Sequence, residues 1–408
     1  ASEDAMRAIS IVYPLQNLAN AIGVGFGVGI NAAVAYYLGA GSGKAANRSA
    51  TLGIILSALH GIVLAGICVL LIRPFISMFT DSEQIIAYGL DYFYVVIAFA
   101  PVLTLGMAFE KVLQATGKMK TTMFCMAIGA VANIILDPIF ISGLGAVPAM
   151  GVFGAALATG IGQTLSLISY IAVFLLAKIP VRLRLERRGE EKICRKLYYV
   201  GIPASLNLAL PSFMITVLNA ILAAFAEVYV LILGVYYKLQ TFIYFTISGI
   251  VQGIRPLMSY NLGAGRKDRV MGIFKVTLLL SLGVMVIGTI LCLAIPKQLM
   301  DIFTDTPQTM EQGAVALRII SAGFIVSAIS VVISGTFEAL GKGMPSLIIS
   351  LLRYIAILPI ALIMSYLFQA VGVWHSFWIT ELISSVISGI LFWRLFYKDC
   401  TKQSCECV

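Results

Sequence analysis

Charge is scarce in this chain: Asp, Glu, Lys and Arg make up 12% of its 408 residues, and hydrophobic residues 60%. A soluble protein of this length carries roughly 25% charged residues, so a water-exposed globular fold is excluded. Signatures of chemistry are missing as well. There is no Walker motif, no zinc-ligand spacing and no nucleophile elbow, which leaves an ATP-driven pump or a membrane hydrolase without support. The only histidines, His60 and His375, each stand alone in apolar sequence and read as packed rather than catalytic. The start, Ala1-Ser2-Glu3-Asp4, is acidic and lacks the basic region of a secretory signal. Seven cysteines form no framework. Cys68, Cys125 and Cys292 lie in apolar helical sequence, where a small buried residue is expected. Cys400, Cys405 and Cys407 sit on a short polar tail expected to be reduced and disordered rather than metal-binding or lipidated.

What remains is membrane-like. Mean hydropathy is +0.98, and apolar runs predict eleven helical spans: 8–38, 46–72, 84–113, 120–142, 151–177, 197–222, 228–260, 270–294, 309–337, 345–368 and 371–395. The net charge of +9 follows the loops between them. Of 28 Lys and Arg residues, 21 fall on one side, eight of them in segment 178–196. The opposite loops hold Arg7, Arg73 and Lys297 beside Asp81, Glu83, Asp301 and Asp305. The positive-inside rule makes the basic side, with the linker and C-terminus, cytosolic. The charge is therefore topological, and a nucleic-acid partner is not expected.

The chain also repeats itself. Residues 13 to 118 recur at 237 to 342 with a constant offset of 224 and no gap. Tyr13 and Gln16 return as Tyr237 and Gln240, Leu38-Gly39-Ala40-Gly41 as Leu262-Gly263-Ala264-Gly265, and Phe79-Thr80-Asp81 as Phe303-Thr304-Asp305. In a membrane chain, two like halves place a transport site near the midplane between them. The second half opens with a span at 197–222 whose counterpart would lie before Ala1. The complete protein is therefore expected to have twelve spans in two parallel six-helix repeats, the first span of lobe one being absent here. The expected divisions are an N-terminal lobe at 1–177, a basic linker at 178–196, a C-terminal lobe at 197–395 and a tail at 396–408.

Particular runs carry a resemblance across nearly the whole chain. They are Leu38-Gly39-Ala40-Gly41, Leu113-Gln114-Ala115-Thr116-Gly117-Lys118, Asn133-Ile134-Ile135-Leu136-Asp137-Pro138-Ile139-Phe140-Ile141 and Gly151-Val152-Phe153-Gly154-Ala155-Ala156-Leu157-Ala158-Thr159. In their order and spacing the chain resembles the multidrug and toxic compound extrusion (MATE) family, in its bacterial MepA-like and DinF-like branch. The resemblance implies an all-α integral membrane fold of two six-helix lobes in a V. It implies a monomeric secondary exporter in the plasma membrane, with no cofactor beyond a coupling proton or sodium ion, that expels amphipathic, often cationic, compounds. DinF-like members carry a coupling acid on the first helix, which nothing in this sequence matches.

An ionised group at membrane depth costs roughly 2.5–3.5 kcal/mol on insertion scales, so it needs a function or a partner. Asp137 leads the candidates for ion coupling. Asn133 shares its helical face four residues earlier, and Pro138 frees the carbonyl of Ile134. The competing reading is an Asp capping a helix end. Thr159 is a further candidate for the cluster. Glu110 joins through the resemblance, which assigns its position to the network around Asp137; beside Lys111, a boundary ion pair is the alternative. At offset 224, Glu110 corresponds to Ser334 and Asp137 to Ala361, so ion coupling is expected in the first lobe alone. Gln16, Asn20, Gln252 and Arg255 are candidates for the substrate cavity, with interhelical hydrogen bonding as their commoner use. Two rivals are a flippase of lipid-linked oligosaccharide or lipid II, which would need a cationic cavity built on Arg255, Lys238 and Arg353, and a non-transporting membrane receptor or enzyme.

Overall fold

A computed structural model describes residues 3–143, 147–184, 192–304 and 306–397. The tail cysteines Cys400, Cys405 and Cys407, Arg187 and Arg188 of the linker, Lys398, Lys402 and Asp305 lie outside the described residues. Every described element is helical, as expected where hydrocarbon offers backbone groups no water and each must be satisfied within its own segment. The first six helices are α1 (Glu3–Gly39), α2 (Gly43–Ser77), α3 (Glu83–Ala98), α4 (Ala100–Ala115), α5 (Met119–Ser142) and α6 (Gly151–Leu176). After the linker come α7 (Ile193–Ala223), α8 (Glu227–Gly263), α9 (Lys267–Ala294), α10 (Pro296–Asp301), α11 (Pro307–Ser321), α12 (Phe324–Ala339), α13 (Gly343–Tyr354) and α14 (Ile357–Phe392). A π-helical turn, Trp393–Tyr397, follows.

The sequence repeat is a repeat of backbone. Adding the offset of 224 to the ends of α1 and α4 gives the ends of α8 and α12, and α3 gives α11 with its last residue one short. The turns match too. Gly41 and Gly265 take φ of +70° and +72°, and Gly117 and Gly341 take +83° and +73°. This is the left-handed region that closes a helix and that residues with a Cβ avoid, so each half reaches its next span through the same glycine. Two expected spans are bent rather than straight: α3 and α4 meet at 41°, and α11 and α12 at 52°. The bends fall at Phe99 and Gly323, again one offset apart. Pro101 starts α4 and has no N–H to continue α3. Gly323 has room for no side chain, since a Cβ there would lie 2.9 Å from the Trp378 backbone.

Among the described residues eight helical segments are long and apolar enough to cross a membrane, or ten when each bent pair counts as one span. The last, Gly343–Phe396, is counted once there and twice among the eleven expected spans. It is interrupted at Phe368 and Gln369, where Gln369 takes φ of 55°. Large apolar side chains face outward all along these helices, such as Leu70 at 78% and Leu176 at 85% exposure. That surface suits lipid and would be an aggregation hazard in water.

Two compact units divide the chain, Ala1–Ala209 and Leu210–Val408. The boundary lies inside α7 and not at the basic linker, because the two ends of α7 join different cores. Its first half packs on α1: a Cβ at Gly25 would lie 2.2 Å from the Ser205 amide, and one at Gly29 would lie 2.4 Å from the Leu197 carbonyl. Its second half contributes Met214, Leu218 and Leu222 to the core around Tyr236 and Trp374. The remaining glycines of the α1 run, Gly23 and Gly27, face Met107 and Lys111 of α4. The run therefore serves two close contacts, each with a spacing of four residues. Gly29→Leu is expected to cost about 1–3 kcal/mol or to block folding by overpacking α1 on α7. Gly66→Leu, in open space, should leave stability unchanged; thermal unfolding of the two purified variants in detergent compares them.

Candidate functional site

The first unit builds a polar cluster where α5 and α6 cross. Glycines set the crossing: a Cβ on Gly129 would lie 2.4 Å from the Gly162 carbonyl, and one on Gly162 would lie 2.7 Å from the Gly129 carbonyl. One turn beyond this contact, Asn133 on α5 reaches both its own helix and its neighbour. Its Nδ2 donates to the Asp137 Oδ1 at 3.2 Å and lies 3.5 Å from the Thr159 Oγ1 on α6. The Thr159 hydroxyl itself donates back to the Ala155 carbonyl at 3.0 Å, so its oxygen faces Asn133 as an acceptor. Asp137, Asn133 and Thr159 are thus brought together. Among the described residues no cation pairs with Asp137.

Two residues that sequence reasoning did not single out extend the cluster. Tyr92 on α3 lies within electrostatic reach of Asp137, and its hydroxyl donates to Gln16 Oε1 on α1 at 3.3 Å. Gln163, one turn along α6 from Thr159, lines a small cavity with Gln16 and Asn20. The candidates Gln16 and Asn20 therefore stand beside the Asp137 cluster within one unit. Only the spacing of Gln163 from Thr159 was a usable signal; Tyr92 has no local one, because its role depends on how α3 packs.

Glu110 is held elsewhere. Its Oε1 accepts from Lys111 Nζ at 2.9 Å and from Gln114 Nε2 at 2.6 Å. Lys111 Nζ also donates to Gln114 Oε1 at 3.1 Å, and the Lys111 carbonyl accepts from Asn31 Nδ2. Lys111 is 5% exposed and Glu110 18%, so the pair is sheltered rather than solvated. Among the described residues no hydrogen bond links Glu110 to the Asp137 cluster.

The second unit answers with different charges in the same places. Arg255 stands where Asn31 does in the first half, and Glu338 where Gln114 does. Arg255 Nη2 donates to Glu338 Oε2 at 2.5 Å, and Ser346 Oγ donates to Glu338 Oε1 at 3.1 Å. Arg255 is thus an internal ion-pair partner, the use weighed against cavity lining from sequence. Gln252 is half-buried on α8. Glu338, 4% exposed, escaped sequence reasoning because the apolar run was ended one residue before it. A second pair joins α13 to α14: Arg353 Nε and Nη2 donate to both oxygens of Glu381 at 2.7–3.1 Å. Lys238 lies over the Phe303 ring, 5.4 Å from its centroid.

The matched helices of the two units, with their outward apolar side chains, define a multi-pass membrane protein. The chain belongs to the MatE family, whose model matches residues 1–139 and 203–363. It is 28% identical over 397 residues to the multidrug export protein MepA of Staphylococcus aureus strain N315, covering 96% of this chain and 86% of that one. It is 25% identical over 391 residues to MepA of Staphylococcus haemolyticus strain JCSC1435, covering 96% and 85%. Among solved structures it is similar to a MATE protein in its bent conformation, with a TM-score of 0.91 at 22% identity over 99% of this chain and 90% of that chain. It is also similar to an outward-facing multidrug resistance MATE transporter of the MOP superfamily, with a TM-score of 0.90 at 22% identity over 98% and 90%. The all-α, MATE-type fold expected from the sequence is the one observed.

Removing one member of a buried ion pair leaves the other uncompensated, at a cost of about 3–5 kcal/mol, while replacing both by apolar groups is near neutral. Arg255→Met is therefore expected to lower the melting temperature sharply, and Arg255→Met with Glu338→Leu to recover most of the loss. Melting of both variants in detergent measures the difference.

Proposed function

We propose that this chain is a secondary active multidrug exporter, moving amphipathic, often cationic, compounds out of the cell in exchange for an ion. Its closely matching relatives are multidrug export proteins aligned over nearly its whole length. The plasma membrane is the proposed location, with the linker and C-terminus cytosolic as the distribution of Lys and Arg favours, and a monomer is the proposed working form.

The observation that carries the coupling mechanism is Asp137, a carboxylate within a membrane span whose hydrogen-bonded neighbours are neutral. An ion that arrives there changes the net charge of the cluster, and so biases which arrangement of the helices is favoured. Asn133 presents an N–H to Asp137, as assigned from the hydrogen-bond network. A donor at that point complements a bare carboxylate and opposes a metal cation, which needs oxygen ligands, so the proton is the favoured coupling ion. Protonation of Asp137 from outside weakens the Asn133 contact. Pro138, inside α5, leaves the Ile134 carbonyl without its helical partner and so weakens the helix beside Asp137. Opposed movement follows if the charged state accepts drug and the protonated state releases it. Thr159, Tyr92 and Gln16 position the cluster. Glu110 serves the sheltered Lys111–Gln114 group in this reading, and at the second-half positions of Asn31 and Gln114 stands the Arg255–Glu338 ion pair.

The flippase reading needs free cations lining a cavity. Arg255 and Arg353 are instead neutralised by Glu338 and Glu381, which favours the exporter.

The test follows ethidium in proteoliposomes under an imposed proton gradient and then a sodium gradient. Wild-type protein should move the dye under the proton gradient, and Asp137→Asn should reduce movement to the protein-free level. Equal transport by Asp137→Asn would remove Asp137 from the coupling mechanism, and sodium-driven movement alone would reverse the choice of ion.

A further inference from the structure

A second site is built into the second unit. Between α7, α8, α13 and α14 lies a cavity of about 260 Å³, walled by Tyr237, Tyr244, Tyr354 and Phe377 and floored by the Arg353–Glu381 pair. The repeat places a cavity beside the same span in both halves: Gln16 and Asn20 of the first correspond to Gln240 and Tyr244 of the second. The first-half cavity is pinched, about 10 Å³, beside helices drawn together by Gly129. The second half has Arg353 at the position of Gly129, and a side chain of that length cannot sit in such a contact.

Two details say what this cavity takes. The Tyr237 hydroxyl is buried and has no hydrogen-bond partner among the described residues. An orphaned polar group on a cavity wall is a cost that a ligand can remove. The position a cation would occupy is already filled. The Arg353 guanidinium lies 5.8 Å from the Tyr244 ring centroid and 5.3 Å from that of Tyr354, which is cation–π range. Its counter-ion, Glu381, accepts three of its hydrogen bonds and a fourth, longer one from Ser330. A cationic ligand would have to displace Arg353 or be buried without a counter-ion, and both are costly. A ligand without net charge meets neither penalty and can stack on the exposed ring faces.

We propose that this cavity is a ligand site for an aromatic molecule of zero net charge, neutral or zwitterionic, oriented by a hydrogen bond to the Tyr237 hydroxyl. It is separate from the coupling cluster around Asp137 and does not depend on that reading.

The test uses three fluorescent probes built on one ring system: a methoxyquinoline (neutral), its N-ethyl quinolinium salt (cation) and its N-sulfopropyl quinolinium (zwitterion). Each is titrated onto the purified full chain in detergent, as wild type, Tyr237→Phe and Asp137→Asn. Phe retains the ring contacts with Tyr236 and Phe377 and removes only the orphaned hydroxyl, so the variant should fold with an unchanged or raised melting temperature. The expected result is that Tyr237→Phe weakens binding of the neutral and zwitterionic probes about three- to tenfold, the range of one hydrogen bond. The cation's affinity should not change, and Asp137→Asn should leave all three as they are. If the cation weakens by the same factor as the other two, or if no probe responds to Tyr237→Phe, the proposal is wrong. A response of the neutral probe to Asp137→Asn would place its site in the first unit and overturn the proposal equally.

Discussion

The approach of α5 to α6 through Gly129 and Gly162 is the contact on which the coupling site depends. Two backbones can come this close only where neither carries a side chain, and in a bilayer such contacts replace the hydrophobic drive that holds soluble helices together. The contact fixes the separation one turn further on, where Asn133 reaches across to Thr159 and back to Asp137. Were the helices a methyl group further apart, Asn133 could serve one partner but not both. Asn133 would then keep Asp137, which is on its own helix, and lose Thr159, so the cluster would no longer join α5 to α6. The glycine run of α1 does similar work against α4 and α7, so the first unit is organised by several glycine contacts with polar side chains set between them.

The second unit uses the same backbone under different electrostatics. The ends of α8 and α12 and the positive-φ glycines Gly265 and Gly341 match their counterparts in the first unit, and so does its bend at Gly323. Yet the buried polar positions have diverged. The amides Asn31 and Gln114 are answered by Arg255 and Glu338, and Gly129 by Arg353. A conserved backbone with exchanged charges is what a fold permits when its helix ends and turns are set by glycine and proline and its interior positions are free to vary in pairs. In the first unit Asp137 has no cationic partner among the described residues, whereas in the second Glu338 and Glu381 are each paired with an arginine. That asymmetry distinguishes a unit suited to sensing an ion from one suited to holding an uncharged ligand.

Much of this was legible before the structure. The repeat could be read because glycine at a left-handed turn tolerates few replacements, so both halves retain Gly41 and Gly265, and Gly117 and Gly341, at one offset. Asn133 and Asp137 could be paired because four residues is a local, helical relationship. What failed to show was tertiary. The bends at Phe99 and Gly323 lie in runs whose hydropathy is uninterrupted, and a helix can turn there without any change in apolar character. Tyr92 and Gln163 join the cluster only through the packing of α3 and α6. Glu338 was lost to a span limit set one residue short, since hydropathy falls at an acid whether or not its partner is buried with it. The unit boundary inside α7 was equally invisible, because one continuous helix can belong to two cores.

The exchange of an amide pair for an ion pair also bears on how such a duplicated chain persists. Copied halves tend to be made alike again when one overwrites part of the other. Here a partial overwrite that brought the arginine of position 255 to position 31 would set a second cation beside Lys111 and Gln114, where Glu110 is already paired with Lys111. The reverse transfer would strand Glu338 opposite an asparagine. Each half-transfer therefore passes through a chain with an unanswered charge in its interior, and only a copy long enough to carry both members escapes. The two lobes are held apart in sequence by the same pairs that hold each of them together.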